Sequence, residues 1–179
     1  MSERTFQLLP FEAAMVPSGL RLAGRIRRER SVLSLRYELT GPTDSLILPT
    51  AVPSPQRRDG LWQHTCLECF LAVPGNARYW EVNLSPCGDW NVYRLSGYRT
   101  DLTPESAIRS LPVVVERAEG RLRLEARLDL TATVAPGDPL EVAICAVLEG
   151  NNGTLSYWAL AHGGDVPDFH RREDFQLPL

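Results

Sequence analysis

The chain contains no lysine; each of its 19 basic residues is an arginine. This excludes a Schiff-base lysine, a pyridoxal phosphate anchor and a P-loop lysine, all of which need an ammonium on a flexible stem. Long apolar runs are missing as well. No stretch approaches the roughly 18 residues of a membrane span, and the N-terminal MSERTFQLLPFE has no cationic segment followed by an apolar one. Neither membrane insertion nor secretion is expected, and the cytoplasm is the expected location. Only four cysteines occur, and without an export signal they are expected as free thiols. The sequence has no G-x-S-x-G, no glycine-rich phosphate loop leading into a helix and no H-E-x-x-H, so no catalytic residue is assigned and an enzyme is the less favoured class. A formal charge of −3 and a pI near 5.6 argue against nucleic acid as a partner, since a phosphate-backbone binder carries a concentrated basic surface.

What remains is an ordinary composition, 44% hydrophobic and 23% charged over 179 residues, which fits one domain spanning 1–179. Period-two alternation dominates. In GRLRLEARLDL, Leu122, Leu124, Ala126 and Leu128 share one face and Arg121, Arg123, Glu125, Arg127 and Asp129 the other, the signature of a half-buried antiparallel strand. SVLSLRYEL repeats the pattern with Leu33, Leu35, Tyr37 and Leu39, and LRLAGRIRR is its partner across a short polar link. Residues 142–148 are apolar on both faces and read as a central strand. LSYWALA follows it after the turn-rich GNNG. Prolines and glycines cut the chain into strand-length pieces, and the Pro-rich LPTAVPSPQRRDG reads as a long loop. One helix is expected after Thr103, where Thr103 can cap, Pro104 suits the first turn and Glu105 favours the start. Nine or ten strands with at most one or two short helices predict an all-β protein, a two-sheet antiparallel β-sandwich.

The most informative segment runs through residues 57–93, RRDGLWQHTCLECFLAVPGNARYWEVNLSPCGDWNVY. TCLECFLAV and RYWEVNLS read as two strands joined at 74–77. Leu67, Cys69, Leu71 and Val73 then share one face, opposite Cys66, Glu68 and Phe70; Trp80, Val82 and Leu84 oppose Tyr79, Glu81 and Asn83. With Val73 across from Arg78, Glu68 falls opposite Asn83 and Phe70 opposite Glu81. Each strand has a dry face and a polar-aromatic one. Carboxylates on a strand that otherwise reads as buried need partners, water or a ligand. Cys66 and Cys69 form a C-x-x-C, but three residues apart on a strand point to opposite faces, so one metal cannot take both. His64, Cys66 and Cys87 at the hairpin end lack a fourth zinc ligand, and no standard zinc spacing is present.

Three blocks, GLWQHTCLECFL, YWEVNLSPCGDWNVY and YWALAHGGDVPDFH, resemble the DOMON-like superfamily of ligand-binding β-sandwiches, in particular bacterial DOMON-like domain proteins. More distantly, the chain is similar to family 9 carbohydrate-binding modules. The resemblance spans residues 20–175 and implies a jelly-roll-like sandwich that binds a sugar or a haem. A sugar site combines flat apolar faces for ring C–H groups with charged or amide groups for hydroxyls. On that reading the ligand-binding residues are Trp62, His64, Glu68, Glu81, Asn83, Trp90, Asn91 and Arg94, with Trp80 the weakest tryptophan because it shares a face with Val82 and Leu84. The alternative structural reading has arginines such as Arg36, Arg94 or Arg123 neutralising the glutamates. The haem reading implies a b-type haem with His162 as cofactor ligand and Met15 as its available methionine partner. His162, Asp168 and His170 in AHGGDVPDFH form either a metal or anion loop or a loop fixed by hydrogen bonds. A small-molecule ligand, no obligatory cofactor and no membrane are the expectations; a structural or interaction role is the third class.

Overall fold

A computed structural model describes residues 2–179. Twelve strands account for nearly all of its regular structure: β1 (Ser2–Pro10), β2 (Arg21–Glu29), β3 (Val32–Thr40), β4 (Cys66–Ala72), β5 (Tyr79–Leu84), β6 (Trp90–Leu95), β7 (Thr103–Pro104), β8 (Val113–Ala118), β9 (Arg121–Asp129), β10 (Glu141–Glu149), β11 (Leu155–Ala159) and β12 (Leu177–Pro178). All named pairings are antiparallel. One sheet runs β1-β2-β3-β9-β8 and the other β7-β6-β5-β4-β10-β11, with β12 against the start of β10. The two are joined by β1. Residues 2–8 pair with β2, whereas Leu9 and Pro10 pair with Trp158 and Ala159 of β11.

The alternation read from the sequence generates the sandwich interior. Leu33, Leu35, Tyr37 and Leu39 of β3 and Leu122, Leu124, Ala126 and Leu128 of β9 face Leu67, Cys69, Leu71, Trp80, Val82 and Leu84 of the second sheet, all buried in one cluster. The Tyr37 hydroxyl crosses between the sheets to donate to the Glu68 carbonyl at 2.6 Å. Gly24 of β2 is required by close approach: a Cβ there would lie 1.9 Å from the Arg36 carbonyl oxygen and 2.6 Å from the Phe6 ring. The outward face of the first sheet is polar, with Arg36 paired to Glu125, Arg121 to Glu38 and Arg123 to Glu116.

The second sheet differs. β4, β5 and most of β10 are buried on both faces, because the C-terminal segment folds back over the outer side. Phe175 is wedged against Phe70 and Tyr79 with ring centroids 5.8 and 5.7 Å away, and Phe70, Ala72, Tyr79, Tyr93, Leu95 and Cys145 form a second apolar cluster there.

The helix expected after Thr103 does not form. Thr103 and Pro104 instead add a short strand to β6, and the backbone N–H of Glu105 donates to Val92 at 2.8 Å. The Glu105 carboxylate accepts from the Trp80 indole at 3.1 Å and from the Ala107 N–H at 3.1 Å, so tertiary partners override the local helix-start signal. Among the described residues the only helical pieces are four three-residue 3₁₀ turns. The end of the Pro-rich loop is tied down: Gln56 N–H donates to Asp89 at 2.8 Å, and Arg57 donates to the Asn91 amide oxygen at 2.7 Å while lying 4.5 Å from the Trp90 ring. No helix among the described residues is long and apolar enough to cross a membrane.

Candidate functional site

The register of the central hairpin is the one its alternation predicts: Glu68 pairs with Asn83 and Phe70 with Glu81. Glu68 also pairs with Cys145 of β10. These side chains leave the sheet on its outer side, away from the main core. Between them, the loop after β6 and the returning C-terminal segment lies a cavity of about 570 Å³, within the ~300–1,000 Å³ typical of small-ligand pockets. Glu68 and Glu81 lie on its floor, and Trp62, Phe70, Tyr157, Phe169 and His170 supply rings. A larger groove on the outer face of the first sheet is lined mainly by arginines and glutamates and lacks ring faces.

The two carboxylates are only 2% and 5% exposed. Glu81 Oε1 accepts from the Asn83 amide at 2.8 Å, and Glu81 Oε2 lies 3.9 Å from His170 Nε2. Glu68 Oε1 is buried with no hydrogen-bond partner, and so is Asn83 Oδ1. Burial pushes the Glu68 carboxyl well above the usual carboxylate range, with the Glu81 charge adding to it. Burial also raises Glu81, against the opposing pull of Asn83 and Arg99. Desolvation on neighbouring strands thus disfavours the charged form of both acids.

A hydrogen-bond chain shapes the rim. Arg99 N–H donates to the Tyr79 hydroxyl at 3.1 Å, and that hydroxyl lies 2.8 Å from His170 Nδ1. The chain is satisfied when Tyr79 donates to Nδ1, which leaves the His170 proton on Nε2, the nitrogen facing Glu81. Burial and the Arg99 charge lower the His170 pKa to about 4, so the ring is neutral at pH 7. Asp168 accepts from Tyr98 at 2.6 Å, from the Arg99 guanidinium at 2.9 Å and from the His170 N–H at 3.0 Å. Those bonds keep its carboxyl below the usual range despite burial. Of the two roles open to the AHGGDVPDFH loop, the hydrogen-bonded one is what its contacts show. Arg99 itself sits at φ 52°, a left-handed conformation uncommon for a non-glycine residue and found disproportionately near functional sites.

The other expected site residues fall elsewhere. Trp62 does line the cavity, edge-on to Tyr93 with centroids 5.6 Å apart. Asn83 is fully buried and acts through Glu81. His64 points outward to Glu149 at 2.8 Å, one residue past the cavity-lining Gln63. Trp90 is on the dry face, in the main core. Asn91 shares the polar face but is taken up by the loop over residues 57–59, donating to the Arg58 carbonyl and to Asp59, each at 2.9 Å. Arg94 is exposed on the opposite face from Tyr93. Trp80 is in the core, as its shared face with Val82 predicts. The structural reading also needs correction, because Arg36 and Arg123 pair with Glu125 and Glu116 and not with the buried acids.

His162 does not face the cavity: its Nε2 is 2.9 Å from the Leu9 carbonyl and its ring packs edge-on to Phe11. Met15 is 54% exposed beside a separate shallow depression. The pair that the haem reading requires is thus not brought together across any one pocket. No cluster of three or more His, Cys, Asp or Glu among the described residues could hold a metal ion. Cys66 and Cys69 face opposite sides of β4, and all four cysteines are free.

The sequence reading misses Arg99, Tyr157 and Phe169. Tyr157 had a usable signal, since LSYWALA places it on the face opposite the buried Trp158, and its partner Val147 lines the same cavity. Arg99 had none, because its role depends on a backbone conformation in the loop after β6.

A β-sandwich with a ring-walled acidic cavity on the outer side of one sheet is the class these features define. No family model matches the chain, and no curated protein matches it. Among solved structures, 97% of the chain is similar to 84% of a candidate carbohydrate-binding protein from Bacteroides uniformis, with a TM-score of 0.71 and 15% identity. A family 9 carbohydrate-binding module from Caldicellulosiruptor kristjanssonii solved with glucose is similar over 84% of this chain and 72% of its own, with a TM-score of 0.48 and 14% identity. A family 9 module from the same organism solved with cellotriose gives a TM-score of 0.47 and 14% identity over 84% of this chain and 70% of its own. The likeness to the Bacteroides protein shows that the two chains share a fold.

Proposed function

We propose that the chain is a DOMON-like β-sandwich that binds a small ligand, a sugar or sugar-containing metabolite, in the cavity over β4 and β5, without transforming it. The observation that carries this reading is Glu68: an acid 2% exposed, with one oxygen lacking any partner, on the floor of a hollow with ring walls. An unmet buried acceptor costs about 1–3 kcal/mol, and a ligand hydroxyl would recover it. Trp62, Phe70, Tyr157 and Phe169 offer apolar faces to a sugar's C–H surface, Glu81 Oε2 is a second acceptor, and His170 Nε2 a donor. The likeness to the Bacteroides protein, itself a candidate carbohydrate-binding protein, points the same way. Free thiols at all four cysteines favour a reducing, cytoplasmic setting.

Isothermal titration against a panel of mono- and disaccharides and nucleotide sugars tests the proposal. Binding is expected to weaken about tenfold or more in Trp62→Ala and Glu81→Gln, with the sugar recovered unchanged after prolonged incubation. Silence across the panel from protein with a native circular dichroism spectrum would refute it.

A further inference from the structure

The polar groups of the cavity are out of balance. Glu68 Oε1 and Asn83 Oδ1 are buried acceptors without partners, on residues directly opposite each other across β4 and β5. Glu81 Oε2 lies 3.9 Å from His170 Nε2, too far for a hydrogen bond. Donors are scarce. Arg99 is the one cation among the described lining residues, and its guanidinium is already engaged by Asp168 at 2.9 Å. The neutral His170 ring has given Nδ1 to Tyr79. Facing Glu68 from β10 and from its own strand are Cys145 and Cys66, both buried thiols that burial keeps protonated. The field of Arg99 reaches Glu81 and offsets part of its burial, but the Arg99 ion pair is with Asp168, and no arginine among the described residues pairs directly with either acid.

A neutral sugar brings hydroxyls, which satisfy acceptors one bond at a time and leave the charge of the two acids uncompensated. A protonated amine brings three N–H donors and a full charge on one atom. Its bonds to carboxylates are charge-assisted and about twice as strong as neutral ones, and the carbon beside it can rest on an aromatic face, where a cation is attracted to the ring. Resting on the reading of this cavity as a sugar site, we propose that its ligand is an amino sugar with a free, protonated amine, lodged among Glu68, Glu81 and the Asn83 amide oxygen, with the pyranose ring against the Trp62 side. In the unliganded protein burial disfavours the charge on both acids, and an ammonium beside them would favour it.

Titration of the full chain at pH 7 with glucosamine, galactosamine and mannosamine, each beside its neutral parent and its N-acetyl derivative, and with ethanolamine, decides the matter. The expected result is that one amino sugar binds about tenfold or more tighter than both its parent and its N-acetyl form. That preference should fall to about twofold or less in Glu68→Gln and Glu81→Gln, and persist in Arg94→Ala on the far face of the sheet. Neutral sugars binding as tightly as their amines would overturn the inference and leave the sugar site standing. Ethanolamine matching glucosamine, with no heat from any neutral sugar, would overturn the amino sugar and the sugar site together, as would silence from every probe.

Discussion

Replacing Glu68 with glutamine removes the acid while keeping its shape, and the structure fixes how stability should respond. In the folded chain the Glu68 carboxyl is 2% exposed, has an oxygen with no partner and is raised well above the usual carboxylate range by burial and by the Glu81 charge. A folded pKa above the unfolded one, about 4.3 for glutamate, means that the folded state binds the proton more tightly. The stability that Glu68 contributes is therefore fully present below about pH 4.3 and is lost as pH rises through the folded value, at no more than about 1.36 kcal/mol per pH unit. Glutamine does not titrate, and its amide can donate towards the orphaned Asn83 Oδ1. The variant should therefore match the wild type near pH 4 and exceed it at pH 8 by about 1–3 kcal/mol, the cost of a buried unmet group. For a chain of this length that is roughly 2–12 °C in Tm. Urea denaturation followed by tryptophan fluorescence between pH 4 and pH 8 measures the difference; slopes from groups away from the pair cancel because both proteins share them, and the gap reads Glu68 together with its effect on Glu81. A glutamine variant less stable than wild type at pH 8, or a gap that does not change with pH, would refute the argument that Glu68 is a poorly compensated buried acid.

His170 predicts an opposite limb: its folded pKa of about 4 lies below the ordinary 6.5, so the stability it lends is present above pH 6.5 and lost as pH falls towards 4. Because the ring is only partly buried, the loss should be about 1–2 kcal/mol after solvent screening, and His170→Asn should flatten it in urea melts at pH 7 and pH 5. Gly24→Ala places a Cβ 1.9 Å from the Arg36 carbonyl oxygen and should cost more than about 2 kcal/mol by thermal melting, since backbone must move. Asn91→Ala frees the Arg58 carbonyl and Asp59 from their shared donor and should cost about 1–3 kcal/mol while leaving ligand affinity within about twofold. A large affinity loss in that variant would return Asn91 to the binding surface.

Where one face of a strand is apolar and the other polar, the sequence is enough to position the residues. The alternation in SVLSLRYEL and GRLRLEARLDL puts Leu35 and Leu124 inside and Arg36 and Glu125 outside, and the same argument fixes the hairpin register to the residue, because a slip by one would reverse both faces. It fails where phase is not the deciding variable. Asn91 has the phase of Glu81 and Asn83 yet is taken up by Arg57, Arg58 and Asp59, which arrive from a loop whose path no periodicity encodes. His64 and Trp62 are two residues apart, but a 3₁₀ turn over 61–63 separates their directions. The β1 strand passes from one sheet to the other at Leu9, a crossing that depends on pairing 150 residues away and leaves no local trace.

The cavity is on the outer side of the sheet for a reason that joins these observations. The sandwich interior is filled by leucine-rich faces from both sheets, so it offers no room for a charged group. An outer face would ordinarily be wet, as that of the first sheet is, and a carboxylate there would keep its ordinary pKa and bind little. The segment after β11 changes this by laying Phe169, His170 and Phe175 over β4 and β5, while Arg99 and Asp168 fasten it to the loop after β6. The acids are thereby desolvated without being enclosed. Low dielectric would strengthen any hydrogen bond a ligand made to them, and the proposed ligand would enter through the cavity's opening. If the cover creates the site, breaking the Arg99 to Asp168 clasp with Asp168→Asn should leave the sheets folded but return Glu68 and Glu81 towards ordinary carboxylate titration. Carbon-detected NMR titration of the two carboxyls reads this directly, and unchanged titration in a variant whose C-terminal amides exchange rapidly would mean that the sheet alone, not its cover, shapes the acids.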